Sequence, residues 1–258
     1  MSSYLERETR GKEGGCAVLF CGCDRKTGTT MVSLSAACIL GKEKKEPVLW
    51  IGCSGEESLL YLEGPVPSLE QHRTELENRM LTADELEALC VKREGSSILN
   101  GLFWPRCWQG EGEEGQRTAQ ALVFALQLAK ERFRWILLDG GAFPLNRAIE
   151  PLAEAADLRF LVLTQLESAI CTAEGILKPE AAGWHPVVNR YFREDPHDLF
   201  YLEKRLGCSA IPVEASLYGR RAEWEHKTLL ETGGRACRRS LSALADAIRK
   251  EGNFCGSL

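Results

Sequence analysis

Short, unbroken apolar runs recur along this chain with helix-like patterns between them, and this alternation restricts the fold more than any single residue does. Runs of this kind suit strands buried on both faces of a parallel sheet. The first covers residues 16–21, before a polar turn at 22–30 and a helical stretch at 31–40. Gly41 and the charged segment 42–46 end that helix, and 47–51 forms a second strand. Such a β-loop-α-β unit implies a right-handed crossover. Further strands are read at 97–103, 135–139, 159–164, 185–189 and 210–213. Helices are read at 58–62, 82–90, 117–133, 151–156, 168–177, 198–206 and 235–250. Thr82 and Glu85 form a capping box, Pro65 and Pro67 break the chain after 62, and 109–116 reads as a Gly/Glu-rich surface loop. No repeat or linker interrupts the pattern. The expected fold is therefore α/β, three-layered, with one doubly wound, mostly parallel sheet over residues 15–258. Residues 1–14 read as a disordered lead-in.

Composition narrows the function classes. The chain has 258 residues, of which 44% are hydrophobic, enough for one substantial core. A net charge of −5 weighs against non-specific DNA binding as the main activity. The 11 cysteines are irregularly spaced without paired CxxC motifs, so a structural zinc site is not expected. Cys21 and Cys23 fall on one face of a strand and read as small apolar residues, with a redox role as the alternative. The N-terminus has no signal-peptide pattern and no run of ~18 apolar residues occurs. Both features, with the free-thiol composition, fit a reducing cytoplasmic location. His72, His185, His197 and His226 are scattered and form no triad or metal cluster.

The segment most informative about chemistry is Gly22, Cys23, Asp24, Arg25, Lys26, Thr27, Gly28, Thr29 and Thr30. It sits between a strand and a helix, where backbone N–H groups converge on anionic oxygens. The pattern Gly-x4-Gly-Lys-Ser/Thr is laid on it with Gly22 as first glycine and Gly28 as second. Thr29 then takes the lysine position and Thr30 the hydroxyl that serves Mg²⁺. Lys26 is a partial substitute for the lysine. A plain structural turn is the competing reading of these residues alone.

The order Gly22–Leu34, 48–51, 135–141, 187–190 and 211–213 resembles the MinD/ParA-type (SIMIBI) P-loop ATPases, with the CpaE/TadZ pilus-localisation branch nearest. The resemblance implies ATP or ADP with Mg²⁺ as cofactors. It assigns Gly28, Thr29 and Thr30 to the phosphates, and Thr30 and Asp139 to the metal. Asn189 would read the base, and the strand carrying Pro212 would lie beside it. Three departures put turnover in doubt. The signature lysine falls on Asp24, the phosphate-loop lysine on Thr29, and the aspartates after the second strand on Gly52 and Ser54. Each lost electrostatic contact costs on the order of 10²–10³ in rate. Glu56 and Glu57 are weighed as replacement carboxylates against a simple helix start.

The resemblance thus implies a homodimeric positioning factor with slow or absent hydrolysis, serving protein partners of a pilus or secretion system. The competing functions are a pseudo-ATPase scaffold and a DNA-partitioning ATPase. A bacterial tyrosine kinase is more remote still. The C-terminal helix carries Arg235, Arg238, Arg239, Arg249 and Lys250 opposite Leu241, Leu244 and Ile248. That pattern suits either weak contact with the inner membrane face or docking on the chain's own sheet. Phe103, Trp104 and Trp108 read as a loop packed on the sheet, with an exposed partner surface as the alternative.

Overall fold

The computed structural model describes residues 14–44, 46–54, 61–104, 108–177 and 183–255. One eight-stranded sheet runs through it in the order β3-β4-β2-β5-β1-β6-β7-β8. Its strands are β1 (Cys16–Gly22), β2 (Val48–Gly52), β3 (Val91–Arg93), β4 (Ser96–Asn100), β5 (Trp135–Ala142), β6 (Leu158–Leu163), β7 (Trp184–Tyr191) and β8 (Ile211–Glu214). All neighbours pair in parallel except β3 and β4.

The pleat divides each central strand between two cores. In β1, Val18 and Phe20 pack with α1 (Thr29–Lys44) and α10 (Arg235–Cys255), while Ala17, Leu19 and Cys21 pack with α4 (Gly112–Arg132). Every β1 residue is buried, which explains the unbroken apolar run. Burying one such Leu or Phe stabilises by about 1.5–3 kcal/mol. The indole N–H of buried Trp50 donates to Ser33 Oγ at 3.0 Å, and that of Trp135 to Glu46 Oε2 at 2.6 Å. Large rings thus sit in the core without orphaned donors.

The amphipathic stripe of α10 lies against α1 and β8. Leu241, Leu244, Ala245 and Ile248 are fully buried, and Arg249 bonds Glu43 and Asp246. The stripe weighed as a membrane contact is therefore used by the sheet, which corrects that expectation. No described helix is long and apolar enough to cross a membrane.

Several boundaries differ from the sequence reading. Helix α1 continues past Gly41 to Lys44. The missing Cβ of Gly41 admits the Gly95 carbonyl, which would lie 2.3 Å from it. Helix α4 starts at Gly112, not at residue 117, because Gly115 packs directly on Gly110 and Glu113 and Glu114 suit the positive helix end. Strand β4 stops at Asn100, where the Gly101 N–H turns to the Gly52 carbonyl at 2.8 Å. The β3–β4 hairpin was not foreseen. Its two-residue turn, Glu94 at φ 48° and Gly95 at φ 90°, uses left-handed backbone that twists with the strands. Short α2 (Arg73–Glu77), α8 (Gly219–Trp224) and α9 (Leu229–Thr232) were missed too. The capping box of α3 (Ala83–Leu89) is present as expected, with Glu85 N–H on Thr82 Oγ1 and Thr82 N–H on Glu85 Oε2. Residues 1–13 and most of the expected 58–62 helix lie outside the described residues.

Candidate nucleotide site

Strand β1 ends at Gly22 and the chain turns through six residues into α1. Gly22 must be glycine: an added Cβ would meet Thr27 Oγ1 at 2.3 Å and both Asp24 O and Thr29 Oγ1 at 2.7 Å. Five residues, not four, separate Gly22 from Gly28. Counted back from Gly28, the first-glycine position of the pattern is Cys23, so the alignment that began at Gly22 is corrected by one. Cys23 is buried and donates its N–H to Val162 O at 2.8 Å, which ties the loop start to β6. Lys26 and Gly28 both have left-handed backbone, at φ 64° and 89°.

The loop is braced from within. Thr27 Oγ1 donates to Asp24 O at 3.0 Å and lies 3.3 Å from Thr29 Oγ1. Both threonines are buried, while Asp24, Arg25 and Lys26 are exposed. Arg25 and Lys26 therefore do not plug the loop. The first amide of α1 with a backbone acceptor is Val32, on Gly28 O at 3.0 Å. The N–H groups of Thr29, Thr30 and Met31 have no acceptor among the described residues. Open amides at a helix start favour an anion.

Asp139 reaches the same place from β5. Its side chain is completely buried, and it accepts from the Thr30 hydroxyl and from Gly141 N–H at 3.1 Å. Burial pushes its carboxyl up to about 6, against the opposing pull of those two bonds. The residues expected at a metal thus touch each other. A carboxylate and a hydroxyl are hard oxygen donors that fit Mg²⁺, which keeps most of its shell as water and phosphate oxygen. No group of three or more His, Cys, Asp or Glu forms a metal cluster among the described residues.

Asn189 closes the loop from β7. Its buried amide donates to Thr27 O at 2.8 Å, and a Cβ on Gly28 would lie 2.3 Å from that nitrogen. Gly28 is thus required both by its φ and by Asn189. Beside Asn189 opens a cavity of about 300 Å³ lined by Met31, Tyr61, Arg190, Phe192, Glu214 and Leu217, among others. Pro212 pairs with Val188 in the sheet and is not among the lining residues; the chain after it, from Glu214, is.

Arg190 and Tyr61 are lining residues to which the sequence assigned no role. Arg190 was readable only as the neighbour of Asn189, and Tyr61 gave no signal. Glu56 and Glu57 lie outside the described residues. At Ser54 the Cβ stands 3.3 Å from where a Cβ on Gly141 would be, so a small hydroxyl side chain occupies that wall.

The thiols beside the loop are not poised for redox chemistry. Burial pushes Cys23 up to about 12 and raises Cys21 strongly, so neither carries thiolate near neutral pH. The Trp104 and Trp108 rings lie 5.6 Å apart, tilted by 50°, and half-buried Trp104 packs on the core, as the packed-loop reading expects.

No protein-family model matches the chain, and no curated protein matches it. Solved structures do. A ParA family ATPase from Chlorobium tepidum TLS matches with a TM-score of 0.72 at 14% identity, covering 90% of this chain and 98% of that one. MinD from Pyrococcus horikoshii, complexed with Mg-ADP, matches at 0.69 and 16% identity, covering 93% and 98%. MinD in a MinC:MinD complex from Aquifex aeolicus matches at 0.69 and 13% identity, covering 92% and 96%. Identities this low speak to architecture alone. The mostly parallel eight-stranded sheet, with helices on both faces, is the P-loop α/β fold of the MinD/ParA ATPases.

Proposed function

We propose that this chain is a nucleotide-dependent positioning protein that binds ATP or ADP with Mg²⁺ and turns ATP over slowly or not at all. The observation that carries this reading is the fully buried Asp139 carboxylate held on the Thr30 hydroxyl, directly beside the open amides of α1. A dry carboxylate at that point gains a partner when a divalent cation arrives with phosphate. Thr30 and Asp139 would hold the metal, the amides of residues 29–31 would meet phosphate, and the part of the cavity lined by Asn189 and residues 214–217 would take the base. The metal would neutralise phosphate charge. Slow turnover follows from Asp24, Thr29, Gly52 and Ser54 at positions where the resembled family has charged groups.

Nucleotide would act by stabilising a homodimer whose partners belong to a pilus or secretion machine, as the CpaE/TadZ resemblance implies. Titration calorimetry with ATP and Mg²⁺ tests the core of this. Binding in the micromolar to millimolar range is expected, and no heat at millimolar ATP refutes it. Light scattering with and without ATP tests the dimer.

A scaffold that never binds nucleotide is the second reading. It is favoured by the Thr27 and Thr29 hydroxyls, which satisfy the loop internally, and by the Asn189 amide, already engaged on Thr27 O. Partner capture unaffected by ATP and by Asp139→Ala would select it.

A further inference from the structure

Arg190 occupies an unusual backbone position for its residue type. The register between β7 and β8 shifts between Asn189 and Tyr191, leaving Arg190 as the unpaired residue of a bulge. Its φ is 56°, left-handed, which a residue with a Cβ adopts at a cost. Bulges beside binding sites re-aim side chains, and strained residues persist where the surroundings hold them. Here the Arg190 N–H is fixed on Asn189 Oδ1 at 2.9 Å, and the other end of the same amide holds the phosphate loop at Thr27. Arg190 is therefore one side chain away from the loop.

Arg190 is the single cation among the described residues that line the cavity, a lining it shares with Glu214, Glu223 and Tyr61. Burial and Glu223 raise the Tyr61 hydroxyl, Arg190 lowers it and Asp139 raises it. One hydroxyl thus lies within electrostatic reach of both the cavity's cation and the candidate metal carboxylate. The loop has Thr29 where lysine is expected, and Arg25, Lys26 and Arg190 are all exposed, but of these three only Arg190 lines the cavity. A nucleotide's phosphates carry several negative charges, and a planar guanidinium is suited to pair with their oxygens.

We propose that Arg190, aimed by the β7 bulge, supplies the positive charge to bound phosphate that the loop itself lacks at Thr29. This rests on the nucleotide reading above. Three variants test it: Arg190→Gln, Arg190→Lys and Arg190→Gly. The glycine variant also removes the left-handed strain, so its thermal midpoint should equal or exceed that of the wild type. Binding of Mg-ATP is measured by calorimetry and binding of adenosine, which has no phosphate, by saturation-transfer NMR.

The expected result is a roughly 10- to 100-fold loss of ATP affinity for the glutamine and glycine variants. The lysine variant should recover most of it, and adenosine binding should not change. ATP binding at wild-type strength by Arg190→Gln overturns the proposal. Equal loss of ATP and adenosine also overturns it, because Arg190 would then hold the base or the cavity wall. Wild-type protein that binds neither ligand overturns the nucleotide reading itself.

Discussion

Replacing Asp139 by asparagine should make the protein more stable at neutral pH and flatten part of its pH dependence. The Asp139 carboxyl is completely buried, and burial lifts it from 3.8 to about 6 in the folded chain. A carboxyl raised on folding favours the folded state in its protonated form. Its contribution is fully present below about pH 4 and lost as pH rises through about 6. A lift of roughly two units at ~1.36 kcal/mol each makes this about 3 kcal/mol. Asparagine keeps the shape and stays neutral, so it escapes the penalty while still accepting from Thr30 or Gly141. Guanidinium unfolding of both proteins, in chelator, at pH 4.5 and 7.5 is the assay. The variant should exceed the wild type by about 3 kcal/mol at pH 7.5, and the gap should shrink towards pH 4.5. Equal stabilities at both pH values would refute the argument that the carboxylate is ionised against its surroundings.

Other substitutions probe the frame around the site. Gly28→Ala must adopt φ 89° and push against the Asn189 amide, so a loss of about 1–3 kcal/mol is expected in denaturant titration. Leu244→Ala removes a fully buried contact of α10 and should cost about 2–5 kcal/mol, read from the same titration. Thr82→Ala deletes the Glu85 N–H bond to Thr82 Oγ1, leaving the backbone half of the α3 capping box, and should cost about 1 kcal/mol, seen as a thermal midpoint lower by a few degrees at most.

Central strands were legible because burial on both faces leaves little room for polar residues, as β1 and β2 show. Thr30 and Asp139 came together through the family resemblance, with Thr30 at a helix start and Asp139 at a strand end, and the two do touch. The β3–β4 hairpin was hidden because three half-exposed residues give no apolar period, although Glu94-Gly95 is a turn signal in plain view. Helix α9 carried its own sign, Thr228 three residues before Glu231, and the structure shows that capping box. Arg190 and Tyr61 were beyond the sequence for a different reason. What draws them to one cavity is a register shift between neighbouring β7 and β8 and the meeting of segments far apart in the chain, and neither leaves a local pattern.

The hairpin also settles how the sheet meets other molecules at one margin. Its outermost strand is three residues long and two of them are Lys92 and Arg93, so a neighbouring chain finds a short, cationic, antiparallel lip in place of a long apolar ladder. Two copies brought together there repel before their backbones can pair. Crowded solutions should stay dispersed at this margin, with added salt weakening that protection.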